Sequence, residues 1–159
     1  RVMAKNTLVA LIKSYLEKAE LKFETAEDNQ AFFLSFDMEY TQIDVKIACD
    51  TEVDRLFVAG FSTIKVSKDK RLAILEKINK IHWDCSFNAH LLINEESKAV
   101  MSYTVLYTFE GLAYDVFVET LSDVTSIIDT NFKELMQIIV NPDLCEMAMK
   151  MQGSNTLTS

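Results

Sequence analysis

Hydrophobic residues along the chain change their period several times, and each change marks an element. Leu8, Leu11, Ile12, Tyr15, Leu16 and Ala19 recur at spacings of three and four behind Asn6, a good N-cap. A first helix is predicted over residues 7–20. Lys22-Phe23-Glu24-Thr25 reads as a short strand, and Glu27-Asp28-Asn29-Gln30 as a turn. From Phe32 the period becomes two. Phe32, Leu34, Phe36, Met38 and Tyr40 alternate with Phe33, Ser35, Asp37 and Glu39. Ile43, Val45, Ile47 and Cys49 repeat the alternation, and Asp50-Thr51-Glu52 closes it. The strand from Arg55 to Val66 is apolar on both parities, with Leu56, Val58 and Ile64 on one and Phe57, Ala59 and Phe61 on the other.

Ser67 is placed to cap a second helix, from about Asp69 to His82, with Leu72, Leu75, Ile78 and Ile81 predicted inward. Phe87, Ala89, Leu91 and Ile93 form a strand. Asn94-Glu95-Glu96-Ser97-Lys98 is a turn, and Ala99–Phe109 returns with Met101, Tyr103, Val105 and Tyr107 on one side. Beyond Gly111, Phe117, Leu121, Val124, Ile128, Phe132, Leu135 and Ile139 trace one long helix, ended at Asn141-Pro142 because proline disfavours helical geometry in the residue before it. Pro142 then opens a short helix. The predicted class is α+β, an antiparallel sheet with helices packed on it in the order α-β-β-β(β)-α-β-β-α. One domain over residues 1–152 is expected, with its core in 6–140, a C-terminal helix in 142–151 and a disordered tail in 153–159.

Composition adds bounds on partners. The 159 residues suit one domain, and only three Gly and one Pro leave little room for linkers. Lys and Arg number 16 against 24 Asp and Glu. The net charge of −8 repels a phosphate backbone and favours a basic or apolar partner over an anionic membrane. Nucleic acid and membrane are therefore not expected partners. Cys49, Cys85 and Cys145 lie far apart without a CxxC step, which fits reduced, mostly buried thiols in the cytoplasm. The chain opens on Arg1 and not Met, which leaves open a missing leading segment, a removed export signal among the alternatives.

The order of elements and the segment Val66-Ser67-Lys68-Asp69-Lys70-Arg71-Leu72-Ala73-Ile74-Leu75-Glu76-Lys77-Ile78-Asn79, followed by a hairpin and a long helix, resemble the YbjN family over roughly residues 6–140. That resemblance implies the fold of the type III secretion chaperones. It also implies a small bacterial regulator of unassigned biochemistry, whose structural relatives dimerise and hold partially unfolded protein segments. Asn79 matches the family's Asn near the helix end, where it would close the turn into the hairpin. The bulky His82-Trp83-Asp84 that follows departs from the family pattern.

Candidate chemistry is sparse. His82, Asp84 and Cys85 are too few to hold zinc tightly, and a loop histidine beside a surface aromatic is the plainer reading. His90, on the polar parity of its strand, reads as solvated or hydrogen-bonded at an interface. Asp44, Asp50, Glu52 and Asp54 surround a turn but lack the ordered ligand loop of a calcium site. No GxSxG, HExxH, GxxxxGK[ST] or GxGxxG occurs, so no catalytic residue, cofactor site or metal site is assigned. Met136, Met147, Met149 and Met151 suit either an adaptable binding surface or a helix packed beneath the long one.

The most informative feature is the second apolar parity of the sheet. Phe33, Phe57, Phe61, Leu92 and Leu106 fall opposite many core residues, although a bulge can invert parity within a strand. Exposed, they form a protein-binding or dimer surface. The alternative is that the long helix and the C-terminal helix cover them in a three-layer domain. The function expected is a non-enzymatic protein-binding domain, chaperone-like or adaptor-like and homodimeric. A regulatory or sensory module working through a partner contact is the second reading, and a hydrolase or metal enzyme the third.

Overall fold

The computed structural model describes residues 5–84 and 86–140. In chain order these form α1 (Lys5–Lys18), β1 (Glu24–Thr25), β2 (Ala31–Asp37), β3 (Gln42–Asp50), β4 (Arg55–Lys65), α2 (Arg71–Asp84), β5 (His90–Ile93), β6 (Ala99–Tyr107) and α3 (Tyr114–Val140). The strands make one antiparallel sheet in the order β1-β2-β3-β4-β6-β5. Four strands form a meander. The chain then crosses through α2, and the β5–β6 hairpin returns with β6 beside β4.

Alternation decides which side of this sheet is packed. Phe32 and Leu34 of β2, Ile43, Val45, Ile47 and Cys49 of β3, and Leu56 and Val58 of β4 are all buried and belong to one core. Leu8, Ile12 and Leu16 of α1, Ile74, Ile78 and Ile81 of α2, and Phe117, Leu121, Val124, Ile127, Ile128 and Leu135 of α3 join the same core. All three described helices therefore contribute their buried residues to one side. Fully burying a side chain of this size is worth about 1.5–3 kcal/mol, so this shared layer dominates the stability of the fold.

α3 lies close to the sheet over Gly60. A Cβ added there would stand 2.6 Å from Ser102 Oγ and 3.0 Å from the Val124 carbonyl. The Ser102 hydroxyl donates to that carbonyl at 2.5 Å. Small residues on two neighbouring strands thus open a seat for the helix backbone. Ser62 manages a bulge in the same strand, donating to the Val100 carbonyl at 2.6 Å and accepting from the Ile64 N–H at 3.1 Å.

α1 begins at Lys5, so Asn6 lies inside it and not before it. It ends at Lys18, and Glu20 just beyond takes φ 54°, with the Leu21 N–H donating back to the Leu16 carbonyl at 3.1 Å. α2 begins at Arg71, and Ser67 holds the preceding turn through its carbonyl, which accepts from the Lys70 N–H. The same helix runs on through His82, Trp83 and Asp84, which are helical and not a loop. Asn79 is exposed inside it and closes no turn. Cys85, Cys145, the helix proposed for 142–151, Met147, Met149, Met151 and the tail lie outside the described residues.

Candidate protein-binding surface

The other side of the sheet follows directly from the register. One row across it reads Phe33, Lys46, Ala59, Tyr103, His90; the next reads Ser35, Asp44, Phe61, Met101, Leu92; a third contains Ala48, Phe57 and Val105. Phe33, Phe57, Phe61 and Leu92, four of the residues expected on a second apolar face, therefore stand together on the side away from the described helices. Phe33 is 42% exposed and Phe61 36%.

Leu106 does not join them. It pairs with Leu56, on the helix side, and packs against the core. β6 alternates in the opposite sense to that expected: Met101, Tyr103, Val105 and Tyr107 point to the open side. Thr104 and Ser102 hold the packed side, where Gly60 and Ser102 make room for α3. Hydrophobicity alone misleads here, because close helix approach selects small side chains. α3 therefore covers the opposite face from the one that the three-layer alternative requires.

The open face has an apolar centre and a polar rim, the usual anatomy of a protein interface. Phe57 and Tyr103 stack at its middle with ring centroids 5.9 Å apart. Tyr107 and Phe109 extend the aromatic surface at one end, 5.5 Å apart. At the β2–β3 side Asp44 accepts from Ser35 at 2.5 Å, and the Lys46 ammonium lies 5.9 Å from the Phe33 ring. Arg55 pairs with Asp50 at 2.8 Å at the β3–β4 end. Asp50 and Arg55 are paired, Asp44 is hydrogen-bonded and Lys46 lies against a ring, so the centre presents carbon. A depression of about 530 Å³ opens between Phe23, Phe33 and Phe61, where the two-residue β1 leaves most of the β2 edge uncovered.

A second apolar strip lies on α2. Ala73, Ile74, Ile78 and Ile81 are its buried residues, whereas Leu72 is 54% exposed and Leu75 39%. The helix is rotated from the expected setting, which took Leu72 and Leu75 as inward. Ion pairs at its flanks accompany this orientation: Lys77 pairs with Glu134 of α3 and Arg71 with Glu95 at 2.5 Å. With 3.6 residues per turn, Leu72, Leu75, Asn79 and Trp83 share an outer stripe, and Trp83 is 88% exposed. His82, beside that stripe, contacts His90 on the open face with ring centroids 5.7 Å apart. Helix strip and sheet face thus adjoin at the β5 edge.

Reactive groups do not converge. Among the described residues no group of three or more His, Cys, Asp or Glu could hold a metal ion. Asp50 is tied to Arg55, and Asp54 is buried with its carbonyl accepting from the Thr108 N–H at 2.8 Å. Burial pushes the Cys49 thiol up to about 12, which keeps it protonated and unreactive near neutrality. No described helix is long and apolar enough to cross a membrane.

Comparison with known proteins fits this geometry. A chain of the ExsC–ExsE complex superposes with a TM-score of 0.62 at 16% identity, covering 82% of this chain and 95% of that one. A chain of the HopA1–SchA chaperone–effector complex gives 0.58 at 14% identity, covering 80% and 96%. YbjN of E. coli gives 0.55 at 17% identity, covering 87% and 90%. These likenesses show a type III secretion chaperone-like α+β fold. No curated protein sequence matches the chain. The family model described as "Putative bacterial sensory transduction regulator" matches residues 8–137, and the chain therefore belongs to the YbjN family.

Proposed function

We propose that this is a non-enzymatic, cytoplasmic, chaperone-like or adaptor-like domain that captures a segment of another protein on the open face of its sheet. The observation that carries this reading is the aromatic centre at Phe33, Phe57, Phe61 and Tyr103, with polar residues at its rim and lying outside the core that the described helices share. Two of the similar folds occur in complexes, one of them described as chaperone and effector, which supports the same use of the fold. Burying three or four such side chains, at about 1.5–3 kcal/mol each before ordering costs, suffices for micromolar binding.

The domain acts as a homodimer in this reading, and the α2 stripe of Leu72, Leu75 and Trp83 is the surface that supports it. Lys68, Lys70 and Arg71 lie at one end of that stripe and Asp84 at the other. Two copies packed antiparallel about a two-fold axis would set opposite charges against each other. The family's description as a regulator favours a second reading, in which partner capture reports a signal.

Phe57→Asp and Phe61→Asp test the open face. Each variant is expected to keep its melting temperature within a few degrees and to lose the partner that co-purifies with wild type from the native host. Retention of that partner by both folded variants would refute the assignment.

A further inference from the structure

The two histidines of the chain, distant in sequence, meet at the outer edge of the sheet. β5 is the last strand, so its outward N–H groups have no strand partner. α2 supplies one: the Leu91 N–H donates to His82 Nε2 at 2.8 Å. An acceptor Nε2 fixes the neutral ring with its proton on Nδ1. His90 then packs edge-on against His82 at 5.7 Å and tilts against Tyr103 at 5.5 Å. A capped edge strand cannot recruit another chain at that position.

We propose that His82 and His90 form an acid-operated latch that fastens the C-terminal end of α2 to the edge strand and releases it on acidification. Protonation of His82 puts a donor where Leu91 needs an acceptor, so that bond is lost. It also places the charged His82 ring against His90, which opposes that charge. Among the described residues no carboxylate relieves this. His90 is the titratable group facing His82 from β5, and Tyr103 stands behind it on β6. On α2 itself Asp84 acts on Lys77, which in turn pairs with Glu134 of α3, and Lys80 also bears on Lys77.

Desolvation, and then the neighbouring His90, hold His82 below its ordinary 6.5. The sign follows: a histidine depressed in the fold favours the folded form above 6.5 and loses that contribution as pH falls from 6.5 through the lowered value. Release exposes the Leu91 N–H and one end of the open face to an extended chain. That pH governs partner capture rests on the protein-binding reading; the latch itself does not.

Two-dimensional nitrogen–proton NMR of the full chain tests the latch without any partner. At pH 7.5 His82 is expected as the Nδ1–H tautomer. After correction for intrinsic chemistry, exchange of the Leu91 amide is expected to speed about fivefold or more as pH is lowered from 7.5 through the His82 midpoint read in the same spectra, as befits one lost hydrogen bond. His82→Gln, whose carbonyl can accept without titrating, should abolish that acid response, and His90→Asn should move the His82 midpoint back towards 6.5. An Nε2–H tautomer in wild type would overturn the proposal even if His82→Gln fails to fold. The same acid response in His82→Gln as in wild type would also overturn it. None of these readouts depends on partner binding, so a failed pull-down and a failed latch are separate results.

Discussion

Gly60 shows how a single residue sets the height of a helix. α3 rests where a Cβ would press on Ser102 Oγ and the Val124 carbonyl, both of which are already engaged with each other. Gly60→Ala must displace either a backbone carbonyl or a buried hydroxyl. Overpacking of this kind costs about 1–3 kcal/mol. Urea unfolding is expected to show that loss, and an unchanged midpoint would mean that α3 does not sit this close. The same seat explains the inverted alternation of β6. Ser102 and Thr104 are polar yet buried, while Met101, Tyr103 and Val105 are apolar and face the open side. A reader of hydrophobicity places Leu106 with Phe57, because nothing in the residues of β6 announces a helix passing overhead.

Elements with one clean period were legible from sequence, as was β4 with apolar residues on both parities, whereas the rotation of α2 was not. β3 alternates without exception, and Ile43, Val45, Ile47 and Cys49 are all buried as expected. α3 is apolar at the expected spacing and buries Phe117, Leu121, Val124, Ile128 and Leu135. α2 carries apolar residues around much of its circumference, so periodicity turned Leu72 and Leu75 inward with Ile78 and Ile81, where the fold instead buries Ala73 and Ile74. Ion pairs to Glu134 and Glu95 accompany the observed setting. A pair of substitutions checks that setting. Ile78→Ala, which empties a core position, is expected to cost about 2–4 kcal/mol. Leu72→Glu, on the outer stripe, is expected to change monomer stability by less than about 0.5 kcal/mol. Equal losses in chemical denaturation would restore the inward placement of Leu72. Under the dimer reading Leu72→Glu instead lowers the mass seen by light scattering.

At the scale of the whole molecule, the three described helices occupy one side of the six-stranded sheet and, among the described residues, leave an aromatic field on the other. The net charge of −8 keeps such a surface soluble while favouring partners that are basic or apolar. Four of the five surface residues inferred from parity belong to that field, and its continuation through Tyr103 and Val105 became visible only from register. The α2 strip was hidden for the same reason, since exposure depends on which neighbour a face meets. The central claim is that the open face, and not the outer surface of the helices, receives another protein. A photo-crosslinking amino acid placed at Phe61, and separately at exposed Glu119 of α3, tests it most directly in the native host. The account predicts an adduct of discrete mass from position 61 that position 119 does not give. No adduct at 61, or the same adduct from both positions, would contradict it.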